Sequence, residues 1–252
     1  MGFWTTFYAF LFYGATLILI VGLGHKIYQY ATTPAPLKVP TMPAPLTTSG
    51  VVVRILFEVI LFKSLFRSNK WIWLFGMLFH GALWVVLLRH LRYFTEPVWS
   101  WVVLIQPLGK YGGFVMLVGL IGLLIRRIMV ERIRYISSPS DYLMLILLLV
   151  IGSSGLMMSF VTHTDIIEFK AFMLSVLYLQ LFNWHSLPMD GMLLVHLTSV
   201  ILLMVIFPFS KLLHAPGIFF SPSRNQVDNA REKRHLAAWA KELEAPSASS
   251  SS

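Results

Sequence analysis

The sequence predicts an all-α integral membrane protein, a bundle of five transmembrane helices with amphipathic helices at its interfaces. Two observations lead there, and a third bounds the chemistry. Of 252 residues, 57% are hydrophobic and only 12% charged, where a soluble domain carries about 25%. The apolar residues gather in runs that reach the roughly 20 residues a bilayer crossing needs. The chain has no cysteine, which excludes disulfides, cysteine-ligated iron–sulfur clusters and covalently attached c-type haem. Any redox centre must therefore be held by His, Met or Tyr, or lie in a partner. The net charge of +9 lacks the soluble, aromatic-interleaved basic surface of a nucleic-acid binder. It is read as loop charge that orients the chain in membrane lipid.

The first apolar run extends from Trp4 to Gly24, and His25 and Lys26 end it. It lacks a basic leader and a small-residue cleavage site, so it reads as a membrane helix rather than a signal peptide. A connector with five prolines between Pro34 and Pro45 follows, extended and irregular. Val51 to Phe66 is apolar but interrupted by Arg54, Glu58 and Lys63. It reads as an interfacial helix with Arg54 and Glu58 spaced to pair. The second span covers about Trp71 to Tyr93 and the third about Gly113 to Met129, closed by Arg126, Arg127, Arg132 and Arg134. The fourth starts at Asp141 behind Ser138-Pro139-Ser140, a capping start, and ends near Val161. Ile166 to Trp184, with Glu168 and Lys170, is apolar enough for a sixth span but reads as a helix on the outer surface, because a sixth span would break the charge pattern below. The last span covers about Gly191 to Leu213.

Lys and Arg set the orientation. With the N-terminus outside, six basic residues before the second span, four after the third and six in the tail fall inside. Arg89, Arg92, Lys110 and Lys170 fall outside, a split of sixteen against four. The expectation is N-out and C-in. Residues 1–214 form the membrane domain. Residues 215–252 form a cytoplasmic tail that docks a partner, unstructured at its Ala/Ser-rich end.

Ionisable residues inside membrane spans are expensive and mark functional sites. A lone intramembrane His reads as a satisfied core hydrogen bond. Four on two helices at matching depths read differently. His80 and His90 lie ten residues apart on the second span, and His196 and His214 eighteen apart on the fifth. Ten residues leave two side chains 80° from alignment, and eighteen complete five turns. The helices run in opposite directions, so His80 matches His214 in depth and His90 matches His196. Each pair offers two imidazoles to one haem iron. The axial separations, about 15 Å and about 27 Å, differ, and a kink at Pro208 is one way to absorb this. Gly81 and Gly191 leave space near the ligands, whereas Met192, Met204 and Phe207 read as packing. Arg89 and Arg92 flank His90 and can pair haem propionates; interfacial anchoring explains Arg92 equally well. His163, Asp165 and His185 are outer groups suited to proton relay, or solvated loop positions.

The stretch Phe79-His80-Gly81 with Arg89-His90 resembles the second helix of the respiratory nitrate reductase gamma subunit. Phe207-Pro208-Phe209-Ser210-Lys211-Leu212-Leu213-His214, with His196 before it, resembles that family's fifth helix. Three further segments resemble a narrower group, the DsrM-type cytochrome b of the DsrMKJOP complex of dissimilatory sulfur metabolism. They are residues 88–97 (Leu88 to Pro97), residues 138–142 (Ser138 to Tyr142) and residues 214–226 (His214 to Gln226). The resemblance implies a multi-pass protein of the cytoplasmic membrane with two b haems, His80 and His214 holding the inner iron and His90 and His196 the outer. It implies electron exchange with menaquinone or menaquinol at the outer side. It further implies a cytoplasmic iron–sulfur partner like the heterodisulfide reductase catalytic subunit (DsrK-like), the other subunits of such a complex, and indirectly a DsrC-like sulfur carrier. A lysine twenty residues after the outer ligand contributes to the quinol site in that pattern. Here it is Lys110, with Tyr111 beside it, or else a loop charge at the membrane surface. The pattern has a glycine before the outer ligand where this chain has Arg89.

The expected role is thus that of the electron-transfer subunit of a membrane quinone oxidoreductase complex. The alternative within the class is a haem b subunit of another respiratory oxidoreductase, such as nitrate reductase. Rival classes are a haem-free membrane anchor with helix-bridging histidines and a transporter with His relays. The five unequal spans lack a transporter's inverted repeats.

Overall fold

The computed structural model describes residues 2–34, 39–229, 236 and 238–244. The Ala/Ser-rich end lies outside these residues. In chain order the helices are α1 (Phe3–Thr32), α2 (Thr48–Leu61), α3 (Lys63–Ser68), α4 (Lys70–His90), α5 (Ser100–Met129), α6 (Glu131–Ile136), α7 (Pro139–Met157), α8 (Ile166–Leu177), α9 (Gly191–Ile206), α10 (His214–Gly217) and α11 (Ala238–Glu244). Five segments are long and apolar enough to cross a membrane: Phe3–Thr32, Lys70–Tyr93, Ser100–Met129, Pro139–Thr162 and Gly191–Phe209. Among the described residues there is no strand. The protein is an all-α, five-span membrane protein.

Several boundaries differ from the sequence reading. α1 continues past His25 and Lys26 to Thr32. A charge ends an apolar run without interrupting the backbone ladder, and Lys26 simply donates to Gln29. The interfacial segment is two helices, broken at Phe62, whose φ of 48° is left-handed. Arg54 donates to the Thr41 carbonyl and Glu58 pairs with Arg224, so each has a partner other than the one their spacing offered. The third span begins at Ser100, well before Gly113. The helix runs through Pro107, which membrane helices tolerate because neighbours satisfy the freed backbone. Lys110 and Tyr111 are therefore helical, not in a loop. α8 has 12 residues, too short to span. α9 ends at Ile206, and single turns of 3-10 helix carry the chain on to Leu213. His196 and His214 do not share a continuous helix, and the five-turn alignment does not apply to them.

The chain divides into two compact units, Met1–Leu23 with Ser64–Lys211, and Gly24–Lys63 with Leu212–Ser252. In the first, α4 packs on α5, α5 on α7, and α7 on α9. Phe79, Ala82, Met116 and Leu120 form one core cluster. Tyr8, Phe12 and Ala15 of α1 join Phe172, Val176, Leu193 and Leu197 in another. The helices of the first cluster approach closely at glycines. A Cβ on Gly119 would stand 2.7 Å from Phe79 N and 2.9 Å from Phe75 O. Polar pins cross the second cluster: the Tyr8 hydroxyl meets Thr198 Oγ1 at 2.7 Å and the Tyr13 hydroxyl donates to Val176 O at 2.9 Å.

In the second unit, Thr47 caps α2 by accepting from Gly50 N. The strand-like contacts Thr41 N to Ser223 O, 2.7 Å, and Asp228 N to Pro45 O, 2.8 Å, tie the stretch after α10 to the proline-rich connector.

Candidate haem-ligating site

The site is built on α4 and α9, with α5 and α7 packed behind them. His90 closes α4, and Val86 O lies 2.6 Å from its Nδ1. His80, three turns earlier, has Gly76 O at 2.8 Å from Nδ1. His196 of α9 has Ile151 O at 3.0 Å and Ser154 Oγ at 3.1 Å, both from α7. A carbonyl oxygen can only accept, so each of these Nδ1 atoms carries the proton and Nε2 is the lone-pair nitrogen. That tautomer is the one a metal ligand needs, with its orientation fixed by the second nitrogen.

His90 and His196 come together. Their ring centres are 6.3 Å apart and their planes differ by 11°. Two imidazoles on opposite sides of one metal, at about 2 Å per bond, put their ring centres roughly 6 Å apart. The pair fits axial ligation of a haem iron. Among the described residues no group of three or more His, Asp or Glu gathers as a bare metal ion requires; a porphyrin supplies the other ligands itself. His80 belongs to the first unit; His214 opens α10 in the second and is exposed.

Arg89 Nε and Arg92 Nη1 both donate to Gln106 Oε1, at 3.2 Å and 3.0 Å. Gln106 is anchored through Nε2 to Val102 O. Among the described residues neither guanidinium has an ion pair with a carboxylate. Two cations on one neutral oxygen beside His90 make a positive surface suited to propionates. Gly109 gives Arg89 its room, because a Cβ there would stand 2.6 Å from Arg89 Cβ. Lys110 Nζ lies over the Phe160 ring at 4.8 Å, and the Tyr111 ring is 5.8 Å from the same ring. Phe160 sits in the π-helical turn Met158–Thr162 that ends the fourth span, a distortion frequent at functional sites.

Of the outer-side candidates, Asp165 has structural work, and further ion pairs hold the surrounding segments. Asp165 caps α8, accepting from Ile167 N and Glu168 N. His163 is exposed at a left-handed turn, φ 51°. Glu96 pairs with Lys170 of α8. Asp141 takes Lys211 at 2.7 Å and Arg127 at 3.3 Å. Sequence reasoning missed Gln106, Ser154 and Gly155. Their signal was available: a lone amide in the 100–129 span, and a Gly-Ser-Ser-Gly run in an otherwise apolar span.

Residues 57–227 match the model of the nitrate reductase gamma subunit family. The chain belongs to that family. It is 35% identical to the Hdr-like menaquinol oxidoreductase cytochrome b-like subunit of Archaeoglobus profundus, over 95% of this chain and 84% of that one. The subunit of the same description from Archaeoglobus fulgidus is 32% identical, over 90% and 81% respectively.

Proposed function

We propose that this chain is a di-haem b cytochrome that links menaquinol at the outer side of the cytoplasmic membrane to a cytoplasmic iron–sulfur subunit. The observation that carries this reading is the His90–His196 pair, at ligating separation with both Nδ1 protons tied down. His90 and His196 hold the outer iron, and His80 and His214 the inner. When bound, the two haems supply one-electron carriers in series across the membrane. Arg89 and Arg92 hold the outer propionates, positioned by Gln106. Lys110 donates a hydrogen bond to a quinone oxygen over Phe160, with Tyr111 beside it. A quinol giving up two electrons there releases two protons to the outer side.

The relatives described as Hdr-like menaquinol oxidoreductase subunits support menaquinol as donor and partner subunits in an Hdr-like complex; the DsrK-like acceptor rests on the sequence resemblance. The tail after Ala215 docks that subunit, within a DsrMKJOP-type complex that serves a DsrC-like carrier in dissimilatory sulfur metabolism. The family match favours one second reading, a haem b subunit of another quinol-oxidising respiratory complex. Purification of the native complex separates the two by which catalytic subunit accompanies the chain.

Difference spectra of the purified protein test the core of the reading. Reduced-minus-oxidised spectra should show b-type bands equivalent to two haems. His196→Ala should remove one haem and keep the other. A protein without reducible b haem, or a His196→Ala variant that keeps both, ends the proposal.

A further inference from the structure

The three tied histidines are not held alike. His80 and His90 are bound by carbonyls four residues back on their own helix, Gly76 and Val86. His196 is bound by another helix. Its Nδ1 faces Ile151 O and Ser154 Oγ of α7, a span that carries no ligand of its own.

Ser154 is 4% exposed. Its hydroxyl hydrogen is directed to the backbone of its own helix, with Val150 O at 2.7 Å and Ile151 O at 3.1 Å. A lone pair is thus presented to His196 Nδ1–H. Gly155 lies alongside the same ring: a Cβ there would be in van der Waals contact, 3.4 Å from His196 Cε1 and 3.7 Å from Nδ1. Ser153, next door, is exposed and bonds only Leu149 O.

We infer that Ser154 is a positioning residue for the outer haem, fixing the plane of the His196 ring and strengthening the ligand from α7. The inference rests on the di-haem reading above. An imidazole whose N–H is hydrogen-bonded is a more basic ligand, and a more basic ligand favours ferric over ferrous iron. Removing Ser154, one of the two acceptors beside Ile151 O, therefore raises the outer haem's midpoint potential and leaves the inner haem's unchanged.

The test is potentiometric titration of the α band, with low-temperature electron paramagnetic resonance, on the full chain carrying Ser154→Ala, Ser154→Cys, Ser154→Thr or Ser153→Ala. One hydrogen bond changes an equilibrium by roughly two- to tenfold. That is the expected rise in the outer haem's reduction constant for Ser154→Ala, with both haems retained and its resonance signature shifted. Ser154→Cys, a poorer acceptor of similar shape, should move the same way and serves if the alanine variant does not accumulate. Ser154→Thr should restore the native value, and Ser153→Ala should change nothing. Unchanged potentials in the alanine and cysteine variants, equal shifts in both haems, or the same shift from Ser153→Ala would overturn the inference. Absence of haem from the unmodified protein would instead overturn the di-haem reading on which it rests.

Discussion

On the proposed di-haem reading, Arg92 and Ser154 should act on the outer haem in opposite senses. A cation beside a haem favours the ferrous state, and at an effective dielectric near 20 a unit charge within roughly 10 Å is worth about 1–2 kcal/mol. Arg92→Gln should therefore lower the outer midpoint potential, by roughly fivefold or more in the reduction constant, where Ser154→Ala raises it. A titration in which Arg92→Gln leaves both haems unmoved removes Arg92 from the propionate site. At the proposed quinone site, Lys110→Ala would delete a charged donor, a bond worth about 1.5–3 kcal/mol. Steady-state kinetics with a menaquinol analogue should show KM raised on the order of tenfold, with haem content unchanged. The proposed ligands His80, His90 and His196 could be picked out in the sequence because histidines inside apolar spans are costly and countable; His214, beyond the last span, was picked out through the family resemblance. Gln106 and Ser154 were not. Their roles depend on which helix faces which: Gln106 reaches back across 17 residues to Arg89 and Ser154 across 42 to His196, and no periodicity within one helix encodes such a meeting.

Among elements, α5 is the one the sequence placed least well, and the one on which packing most depends. The sequence reading begins this span at about Gly113, yet the helix starts at Ser100 and runs through Pro107 and Gly109, where Gly109 admits Arg89 and, further on, Gly119 admits the backbone of α4. Gly119→Ala cannot be absorbed by a side-chain shift, because the nearest atoms are Phe79 N and Phe75 O. Overpacking of this kind costs about 1–3 kcal/mol. The variant should unfold at lower temperature in detergent, followed by circular dichroism and haem absorbance together; an unchanged melting temperature would mean that α4 and α5 are not in such close contact. The mismatch of 10 against 18 residues between the histidine pairs has a comparable origin. It assumed one helix through His214, whereas Pro208 ends the regular helix at Ile206 and packs with Gly22 of α1, where a Cβ would stand 2.7 Å from Pro208 Cβ. Local breaks of this sort follow from a proline plus its tertiary neighbours, and only the proline is written in the sequence. The fourth span was legible at its start because a capping box is a local device. Ser138 N donates to the Asp141 carboxylate at 2.9 Å, and that same carboxylate, 8% exposed, holds Arg127 and Lys211.

For the molecule as a whole, the charge bias that orients the chain is a sequence property, and the structure supplies positions at which to test it. The five spans put the α5–α7 connection and the stretch after α9 on one side and the α4–α5 and α7–α9 connections on the other. By the positive-inside rule, the sixteen-to-four split of basic residues predicts that the first side faces the cytoplasm. Because the chain has no cysteine, a single introduced thiol reports alone. Tyr135, 91% exposed on α6, and Gln180, exposed after α8, serve for the two sides. In intact cells a membrane-impermeant maleimide should label Gln180→Cys and leave Tyr135→Cys unlabelled until the membrane is permeabilised. The reverse pattern would place Lys110 and the His90–His196 pair at the cytoplasmic side. Quinol oxidation would then release its protons inward, and the tail after Ala215 could not meet a cytoplasmic acceptor. Orientation, more than any single contact, decides whether this set of helices can carry electrons inward from an outer quinol.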